Sequence, residues 1–517
     1  MEKIPSRERM IEMNTAPPEY QDLTDRMAEI RNLSRLAALA HWDMQCNMPP
    51  AGAEARKEQL VTLTGVLHRH MTDPRIGDLL NRLGSFQDSL CCSSDEAATL
   101  RAVAREYEKA TRIPENLARE RITASAEGLQ AWLRAREARD FSRFLPALKR
   151  NFDMSRRIAE ALDAGSPPLD VLIDQREPGF DVKGVESVFS ELKEVLIPLI
   201  NQVSEQPGAV DDVVLHQYYD PDTQWDLTLK AVRAIGFDLQ GRGRQDISVH
   251  PFTTSFSIDD VRITTRIRNS DFSSAFFASL HEAGHGTYEQ GFPRKWERST
   301  LATSTSGGMH ESQSRLWENI VGRSPEFWDF FYPEVQKHFP KQTEGISHGD
   351  FYRAVNRVQP SFIRVEADEV TYNVHIIIRF ELEKAAFQGE LSLEDMPEAW
   401  NEKFENYLGI TPEDPLDGVL QDIHWSGGFG SSFISYTLGN VISAQLFGAA
   451  LREHPDMKEQ FRQGDFSELL AWMQQNVHAH GQKLPPRELV RQATGEEFNT
   501  GPFLDYIKRK TEALYGP

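Results

Sequence analysis

The chain has 517 residues, with 57 Lys and Arg against 78 Asp and Glu, which gives a formal net charge of −21. This acidic excess argues against a nucleic-acid or anionic-membrane partner, because both bind positive surfaces. With 39% hydrophobic and 26% charged residues, the composition is that of a folded globular protein and excludes a disordered one.

Three cysteines are too few for a disulfide framework in a chain of this length, which favours a reducing compartment. The first thirty residues lack the apolar core of a secretory signal. No stretch approaches the roughly 18 apolar residues of a membrane span. We therefore expect a cytoplasmic protein without a membrane partner.

Apolar residues at three- and four-residue spacing predict helices through most of the chain. The predicted helical segments are 23–41, 95–110, 129–137, 144–162 and 185–203. The first is expected to stop before Pro49 and Pro50. A further helix is predicted to start at Thr411, because a Thr cap, Pro412 in the first turn and the acid Asp414 would satisfy its free amides.

One stretch breaks the helical pattern. Residues 247–267 are rich in Val, Ile, Thr and Phe, and 247–249 and 261–265 alternate in the manner of strands. The glycines of 241–243 predict a turn before them. We expect a mainly α fold with a small β hairpin or sheet near 247–267. No linker separates domains, so the sequence predicts a single domain over 1–517, with two lobes around a deep central cleft.

The pattern His281-Glu282-Ala283-Gly284-His285 carries the chemistry. Residues four apart lie on one helix face, so His281 and His285 can bind one ion. Glu282 lies one step round the helix, where it can take a proton from a metal-bound water. The alternative is a solvated helix face with two histidines, but the apolar run 275–280 before it predicts a buried helix. Gly284 and Gly286 then indicate close approach by another backbone or a substrate.

A catalytic zinc needs a third protein ligand and an open position. The candidates that follow the pattern are Glu289, Glu297, His310 and Glu311. Glu289 would share the helix with both histidines and crowd them, whereas a neighbouring helix closes a tetrahedron more easily. The segment 307–318 looks like that helix, and there Glu311 is favoured only slightly over His310.

Several spaced motifs together resemble the carboxypeptidase Taq family, whose helical fold is similar to that of neurolysin and angiotensin-converting enzyme. They stand in the family's order as His250-Pro251-Phe252, Asp260-Val261-Arg262-Ile263-Thr264, the His281–His285 pattern, His310-Glu311-Ser312-Gln313, Ile363-Arg364-Val365-Glu366-Ala367-Asp368 and Gly418-Val419-Leu420-Gln421-Asp422-Ile423-His424-Trp425. The resemblance covers essentially the whole chain. It implies a metallocarboxypeptidase that releases single C-terminal residues from peptides with a free carboxylate.

The resemblance also implies roles for individual residues. His281, His285 and Glu311 would hold the metal, and Glu282 would act as general base and acid. The roles implied on the substrate side belong to Arg364 and Tyr436 at the terminal carboxylate, His424 at the oxyanion, and Asp260, Arg262 and His250 at the closed end of the groove. Arg suits the first role because it binds carboxylates in a bidentate manner.

Without the resemblance, simpler interpretations stay open. Arg364 would form an ion pair with Glu366 or Asp368, and His424 would be a core histidine beside Trp425. Asp260 and Arg262 would be a cross-strand surface pair. Glu366 and Asp368 are further candidates for orienting the imidazoles of the metal ligands.

The run 431–436 departs from the family, which commonly has Gly-Tyr-Phe-Pro-Thr-Tyr there. Ser432 and Ile434 replace the first Tyr and the Pro, which can alter specificity or rate. The ligand set suits Zn²⁺, with Co²⁺ or Mn²⁺ as substitutes. A homodimer is expected from the family. The rival functions are an oligopeptidase or dipeptidase with a more open groove, and a non-catalytic peptide-binding scaffold.

Overall fold

The computed structural model describes residues 16–516 of the chain. The stretch in which no secretory signal is predicted therefore lies partly outside the described residues. Within them, no helix is both long and apolar enough to cross a lipid bilayer. The described chain divides into two compact units, and a single domain over 1–517 stays a prediction.

The first unit is helical. Its segments are 16–112, Pro293–Thr303 and Gly481–Leu484. Its α-helices are α1 (Pro18–Cys46), α2 (Ala53–Met71), α3 (Pro74–Arg82), α4 (Gly84–Ser89) and α5 (Asp95–Arg112). Helix α1 ends before Pro49 and Pro50, as predicted, and its buried Leu23 and Met27 pack in one core with Leu100 of α5. The two helices predicted in this unit are therefore confirmed.

The second unit carries the predicted functional residues. Its segments are 113–292, 304–480 and 485–516. The α-helices in it are α6 (Glu115–Ala138), α7 (Leu145–Leu162), α8 (Pro168–Arg176), α9 (Val182–Ser204), α10 (Pro221–Ala234), α11 (Phe272–Gly291), α12 (Gly307–Arg315), α13 (Pro325–His338), α14 (His348–Val355), α15 (Thr371–Gln388), α16 (Met396–Leu408), α17 (His424–Gly427), α18 (Ile434–Glu453), α19 (Met457–Arg462), α20 (Ser467–Asn476), α21 (Pro486–Thr494) and α22 (Gly501–Tyr515). The helices predicted at 129–137, 144–162 and 185–203 fall on α6, α7 and α9, so the mainly α class is confirmed.

The predicted β structure is a three-stranded sheet in the second unit. Its strands are β1 (Gly243–Ile247), β2 (Thr253–Ser257) and β3 (Asp260–Thr265), in the order β1-β3-β2. β2 and β3 form an antiparallel hairpin, whereas β1 pairs with β3 in parallel. The sheet is confirmed, but its first strand ends at Ile247 instead of continuing through 249, and the chain from 248 to 252 crosses over to β2.

The helix predicted to start at Thr411 is wrong. Residues 411–420 form bends and turns, and no helix follows until α17. The Asp414 carboxylate accepts a hydrogen bond from the Leu416 amide, and the Leu420 amide bonds back to the Pro415 carbonyl. A side chain that caps its own turn competes with helix initiation, which explains why the local cap signal misleads.

Helix α11 positions the site. Asp271 caps it by accepting a hydrogen bond from the Ser273 amide, and most of its residues are buried. It packs against α10, α12 and the β2–β3 hairpin. A helix buried on all sides holds its side chains in fixed rotamers, which suits a group that must keep metal ligands in register.

Candidate metal centre and carboxylate site

Three predicted metal ligands converge between α11 and α12. The nearest donor atoms of His281, His285 and Glu311 all lie within 4.8 Å of one another. Glu311 Oε2 lies 3.8 Å from His281 Nε2 and 3.5 Å from His285 Nε2. Donors about 2.0–2.2 Å from a tetrahedral ion are roughly 3.3–3.6 Å apart, so this set, called the metal cluster here, fits one ion.

Two residues that follow Glu311 in the chain, Arg315 and Glu318, form hydrogen bonds to the metal cluster. Glu318 Oε2 bonds His281 Nδ1 at 2.8 Å, which directs Nε2 of that ring at the site. Arg315 bonds Glu311 Oε1 at 2.7 Å and Glu318 Oε2 at 3.1 Å. Glu318 lies on a π-helical turn, Leu316–Val321, directly after α12. Such turns are frequent at functional sites because they redirect side chains.

Burial and charge set the protonation of this group. Burial alone would raise the pKa of Glu311, but Arg315 and the imidazoles outweigh it and hold that pKa well below its usual range. Burial likewise opposes ionisation of Glu318, yet Arg315 and His281 hold its pKa at about 2. For His285, burial and the nearby His310 lower the pKa to about 3. Burial alone would lower the pKa of His281, but Glu311 and Glu318 outweigh it and raise that pKa. Ionised Glu311 and neutral His285 are in the forms that bind metal, whereas at His281 a metal ion competes with a proton.

Glu282 lies beside the metal cluster without being part of it. Its side chain is buried, and burial raises the pKa of its carboxyl. The Thr253 hydroxyl, at the start of β2, donates to Glu282 Oε2 at 2.6 Å. The carboxylate is thus held next to the ligands, in the position expected of a proton acceptor.

Two glycines allow the helices of the site to approach closely. A Cβ on Gly284 would lie 2.7 Å from the Gln313 carbonyl oxygen of α12. A Cβ on Gly439 of α18 would lie 2.6 Å from Glu311 Cγ. Real Cβ atoms do not approach this closely, so the expectation that Gly284 marks the approach of another backbone is confirmed. For Gly286 it is wrong, because a Cβ there would meet the Phe237 side chain, 2.5 Å from its Cε2 atom.

A second buried group lies near the metal cluster in the same unit. Asp422 Oδ1 accepts hydrogen bonds from Arg364 Nε at 3.0 Å and Nη2 at 2.8 Å. Asp422 Oδ2 accepts one from Arg379 Nε at 2.6 Å. We call Arg364, Arg379 and Asp422 the arginine cluster. Two guanidinium groups around one carboxylate leave a positive charge, and they hold the pKa of Asp422 well below its usual range although burial opposes this.

His424 and Tyr436 border the arginine cluster. His424 Nε2 lies 3.2 Å from Tyr436 Oη, and the Arg364 guanidinium lies over the Tyr436 ring, 5.2 Å from its centroid. Burial lowers the pKa of His424 to about 4; the charge of Asp422 opposes this shift, and that of Arg364 adds to it. A neutral imidazole at neutral pH can donate a hydrogen bond to a developing oxyanion.

Tyr372 of α15 joins the two clusters. The Arg315 guanidinium lies over its ring, 4.3 Å from the centroid, and Arg364 Nη1 donates to its hydroxyl at 3.1 Å. The metal cluster and the arginine cluster therefore form the two ends of one site.

Comparison with known proteins identifies the family of the chain. The model of the family described as carboxypeptidase Taq (M32) metallopeptidase matches residues 22–511. The chain belongs to this family. It is a metallocarboxypeptidase, a hydrolase that acts at the C-terminal peptide bond of its substrates.

Individual relatives agree over nearly full length. "Thermostable carboxypeptidase 1" of Thermus thermophilus is 43% identical over 509 residues, 96% of this chain and 99% of the relative. "Carboxypeptidase 1" of Bacillus subtilis is 38% identical, covering 98% of this chain and all of the relative. The crystal structure of an M32 carboxypeptidase from Deinococcus radiodurans superposes with a TM-score of 0.94, 39% identity and coverage of 97% and 100%.

Three other candidates for the third ligand lie outside the metal cluster of this carboxypeptidase: Glu289, Glu297 and His310. Glu289 Oε1 bonds His310 Nε2 at 3.1 Å, and the His310 ring stacks on that of His285. Glu297 lies in the first unit, where it pairs with Arg35. Of the four candidates, Glu311 is the one whose carboxylate meets both histidines.

The three groove-end candidates lie at or beside the sheet. Arg262 and Asp260 pair within β3 itself, at 3.0 Å, so the expectation of a cross-strand pair is wrong. Residues two apart on a strand point to the same face, which allows this pair. Partial desolvation lowers the pKa of His250, and the charges of Arg266 and Arg364 lower it further.

The predicted partners of Arg364 and of the imidazoles need correction. Glu366 pairs with Arg268, and Asp368 accepts hydrogen bonds from the amides of Gln359, Val370 and Thr371. Neither acid reaches Arg364, which pairs with Asp422 instead. Neither acid bonds an imidazole of the metal cluster. The acid that does is Glu318, which bonds His281. Asp368 fixes the backbone around it, whereas Glu366 forms an ion pair with Arg268.

Sequence reasoning missed five residues that shape the site: Thr253, Arg315, Glu318, Arg379 and Asp422. A signal existed for two of them, because Glu311, Arg315 and Glu318 are spaced by four and three residues and so share one helix face. Arg379 and Asp422 are 43 residues apart and meet only through the tertiary fold.

The departure from the family run has a structural consequence at Ser431. This residue has φ of 67°, in the left-handed region that favours glycine, and it stands where the family run begins with Gly. Its amide donates to the buried Glu383 carboxylate at 3.1 Å. The segment between His424 and Tyr436 therefore contains a strained residue.

Proposed function

We propose that the chain is a zinc-dependent carboxypeptidase that removes one residue at a time from the C-terminus of peptides. The observation that carries this is the metal cluster, two imidazole nitrogens and one carboxylate oxygen within 4.8 Å. This donor set suits Zn²⁺ in a catalytic site, and Co²⁺ or Mn²⁺ can substitute. When bound, such an ion supplies Lewis acidity toward the scissile carbonyl and toward water.

The arginine cluster supports recognition of the free C-terminus. Arg364 binds the terminal carboxylate in this proposal, and Tyr436 donates a further hydrogen bond. The excess positive charge of the cluster favours an anion there although the whole chain carries −21. His424, kept neutral by burial, donates to the oxygen that becomes negative as water adds to the carbonyl carbon.

Glu282 moves the proton. Its carboxylate takes a proton from the attacking water while the water oxygen bonds to the carbonyl carbon. The carbon–nitrogen bond then breaks, and Glu282 gives the same proton to the leaving amine nitrogen. Proton and electron pair balance without any further reactant. Asp260, Arg262 and His250 are proposed to close the groove beyond the released residue, which limits cleavage to the last peptide bond.

Glu282→Gln tests the mechanism. The variant is expected to keep one metal per chain and to lose turnover by about 10²- to 10⁴-fold, the usual contribution of a general base. Metal content and single-residue release from a defined peptide are measured together. Near-normal turnover in this variant would falsify the role of Glu282.

A C-terminally amidated copy of the same peptide tests the direction of cleavage. A carboxypeptidase that anchors the terminal carboxylate on Arg364 spares the amidated peptide. Internal fragments of the amidated peptide, detected by mass spectrometry, would instead establish an oligopeptidase. Chelator-insensitive binding without cleavage of either peptide would establish a scaffold.

Compartment, assembly and domain organisation are also proposals. Cys46, Cys91 and Cys92 form no disulfide in the structure of residues 16–516, which supports a reducing cytoplasm. The homodimer rests on the family resemblance, and sedimentation velocity at micromolar concentration tests it by the presence of a species of twice the chain mass. The match of the family model over residues 22–511 supports one functional domain.

A further inference from the structure

One hydrogen bond holds the Glu282 carboxylate. The Thr253 hydroxyl lies 2.6 Å from Glu282 Oε2 and 2.9 Å from the Glu282 backbone oxygen. A hydroxyl carries one proton, and the shorter contact is the one expected of a charge-assisted bond. Among residues 16–516, no second donor bonds this carboxylate.

The two oxygens of Glu282 therefore differ. Oε2 is occupied by Thr253, whereas Oε1 accepts no hydrogen bond from the described residues. Oε1 is not sealed from solvent, and the Glu282 residue as a whole is 7% exposed. Water reaches the carboxylate at Oε1.

The backbone at Thr253 is fixed from both sides. Thr253 pairs with Ile263 across the hairpin. The preceding residue, Phe252, donates its amide to Thr264 Oγ1 and accepts from the Thr264 amide, both at 2.9 Å. Because Thr is β-branched, its χ1 angle has few allowed values on such a backbone. The hydroxyl is a rigid anchor.

We propose that Thr253 is a positioning residue for the peptidase reaction: it holds Glu282 Oε2 so that Oε1 faces the attacking water. The terminal torsion of a Glu side chain is soft, so without this bond the carboxylate rotates among several orientations. With it, the proton passes from water to Oε1 and from Oε1 to the leaving amine. The inference rests on the proposed role of Glu282.

Thr253→Val tests the inference, because valine keeps the shape and removes the hydroxyl. We expect kcat to fall roughly 10- to 100-fold, the cost of a lost supporting or misaligned group. KM and metal affinity are expected to stay within about twofold, because neither ligand nor substrate contacts change. Thr253→Ser keeps the donor and is expected to restore kcat to within about threefold of the wild-type value.

Thr265→Val is the matched control. Thr265 is a buried residue of the same sheet, and its hydroxyl also donates to α11, at 3.2 Å to the Ala275 carbonyl oxygen. The Thr265→Val substitution removes a similar hydrogen bond between the sheet and α11 without changing any contact of Glu282. We therefore expect kcat to stay near the wild-type value. All four proteins are assayed with metal content, kcat and KM.

Three results would overturn the inference. The first is a kcat for Thr253→Val equal to that of Thr265→Val, and the second is a Thr253→Ser variant as slow as Thr253→Val. The third is loss of metal from Thr253→Val, because the hydroxyl would then act through the metal cluster. Since Glu282→Gln is assayed separately, failure of this inference leaves the proposed function testable.

Discussion

The metal cluster with its neighbours and the arginine cluster both combine carboxylates with guanidinium groups. Carboxylates are in excess in the first, and guanidinium groups are in excess in the second. Around the metal cluster, the single guanidinium of Arg315 bonds two carboxylates, those of Glu311 and Glu318. A third carboxyl, that of Glu282, lies beside them with its pKa raised by burial, so acidic groups are in excess there. In the arginine cluster two guanidinium groups surround one carboxylate, which leaves one positive charge. In the proposed function, a divalent cation binds at the first and a peptide carboxylate at the second.

This difference shows which charges matter for binding. The net charge of −21 is spread over a surface where salt screens charges beyond about 10 Å. Buried charges act at short range and low dielectric, so two arginines can bind an anion inside an acidic protein. The ion pairs within each cluster leave one sign of charge in excess, which favours a ligand of the opposite sign.

The largest expected effect is at the metal end of the site. Glu311→Gln removes the carboxylate shared by both histidines, so metal affinity should fall by more than the roughly 100-fold that supporting residues contribute. Chelator competition measures this affinity. Glu289→Gln is the control, because Glu289 is on α11 but outside the metal cluster; equal affinities in the two variants would break the assignment of the third ligand.

The next effect is at the other end. Arg364→Met should lower kcat/KM for free-carboxylate peptides about 10- to 150-fold, mainly through KM, because hydrogen bonds to charged groups contribute roughly 1.5–3 kcal/mol. Asp422 keeps its bond to Arg379 in this variant, so the fold is retained.

Arg268→Met is the matched control for Arg364→Met, since Arg268 is paired with a carboxylate outside the arginine cluster. It should leave kcat/KM within twofold. Metal affinity should be unchanged in both variants, because the clusters share no ligand. A weaker metal site in Arg364→Met would show that the two ends do not act separately.

A pH effect of intermediate size is expected at His424. Burial lowers its folded pKa from 6.5 to about 4. Between these values the unfolded chain binds a proton that the folded chain does not, so the free energy of unfolding falls as pH falls, by up to about 1.4 kcal/mol per unit. The stabilisation is complete above pH 6.5 and is lost toward pH 4.

His424→Gln removes this contribution. Urea unfolding of metal-free protein should therefore show that the variant loses about 2 kcal/mol less stability than the wild type between pH 8 and pH 5. Other buried histidines titrate in both proteins and cancel in the difference. Identical losses would mean that the protein does not hold His424 neutral.

The sequence predicted the metal end of the site better than the carboxylate end. His281 and His285 lie on one helix, where spacing and ligand chemistry relate them directly. The same reasoning favoured Glu311 on the neighbouring helix only slightly over His310, and the family resemblance selected it. Arg364 depends on Asp422, 58 residues away, and this contact follows no local period. Glu366 and Asp368 looked like nearer partners because distance along the chain was the available guide.

The fold shows the same division. Helices with regular apolar spacing were predicted, and the strand composition of 247–267 indicated the sheet. The parallel pairing of β1 with β3 was not, because strand order follows no local sequence period. Thr411 carried a cap signal, but Asp414 formed a turn with its own backbone instead.

The smallest expected effect concerns the segment that joins His424 to Tyr436. Ser431→Gly should raise the free energy of unfolding by about 1 kcal/mol, because a side chain at positive φ is strained and glycine is not. Ser432→Gly is the control, since Ser432 does not have positive φ and glycine there should cost about 0.5–1 kcal/mol of chain entropy. Urea unfolding at pH 8 compares the two. If Ser431→Gly raises the free energy of unfolding and Ser432→Gly lowers it, strain is stored at Ser431, beside the arginine cluster. If both variants change it in the same direction, no strain is stored at this end of the site.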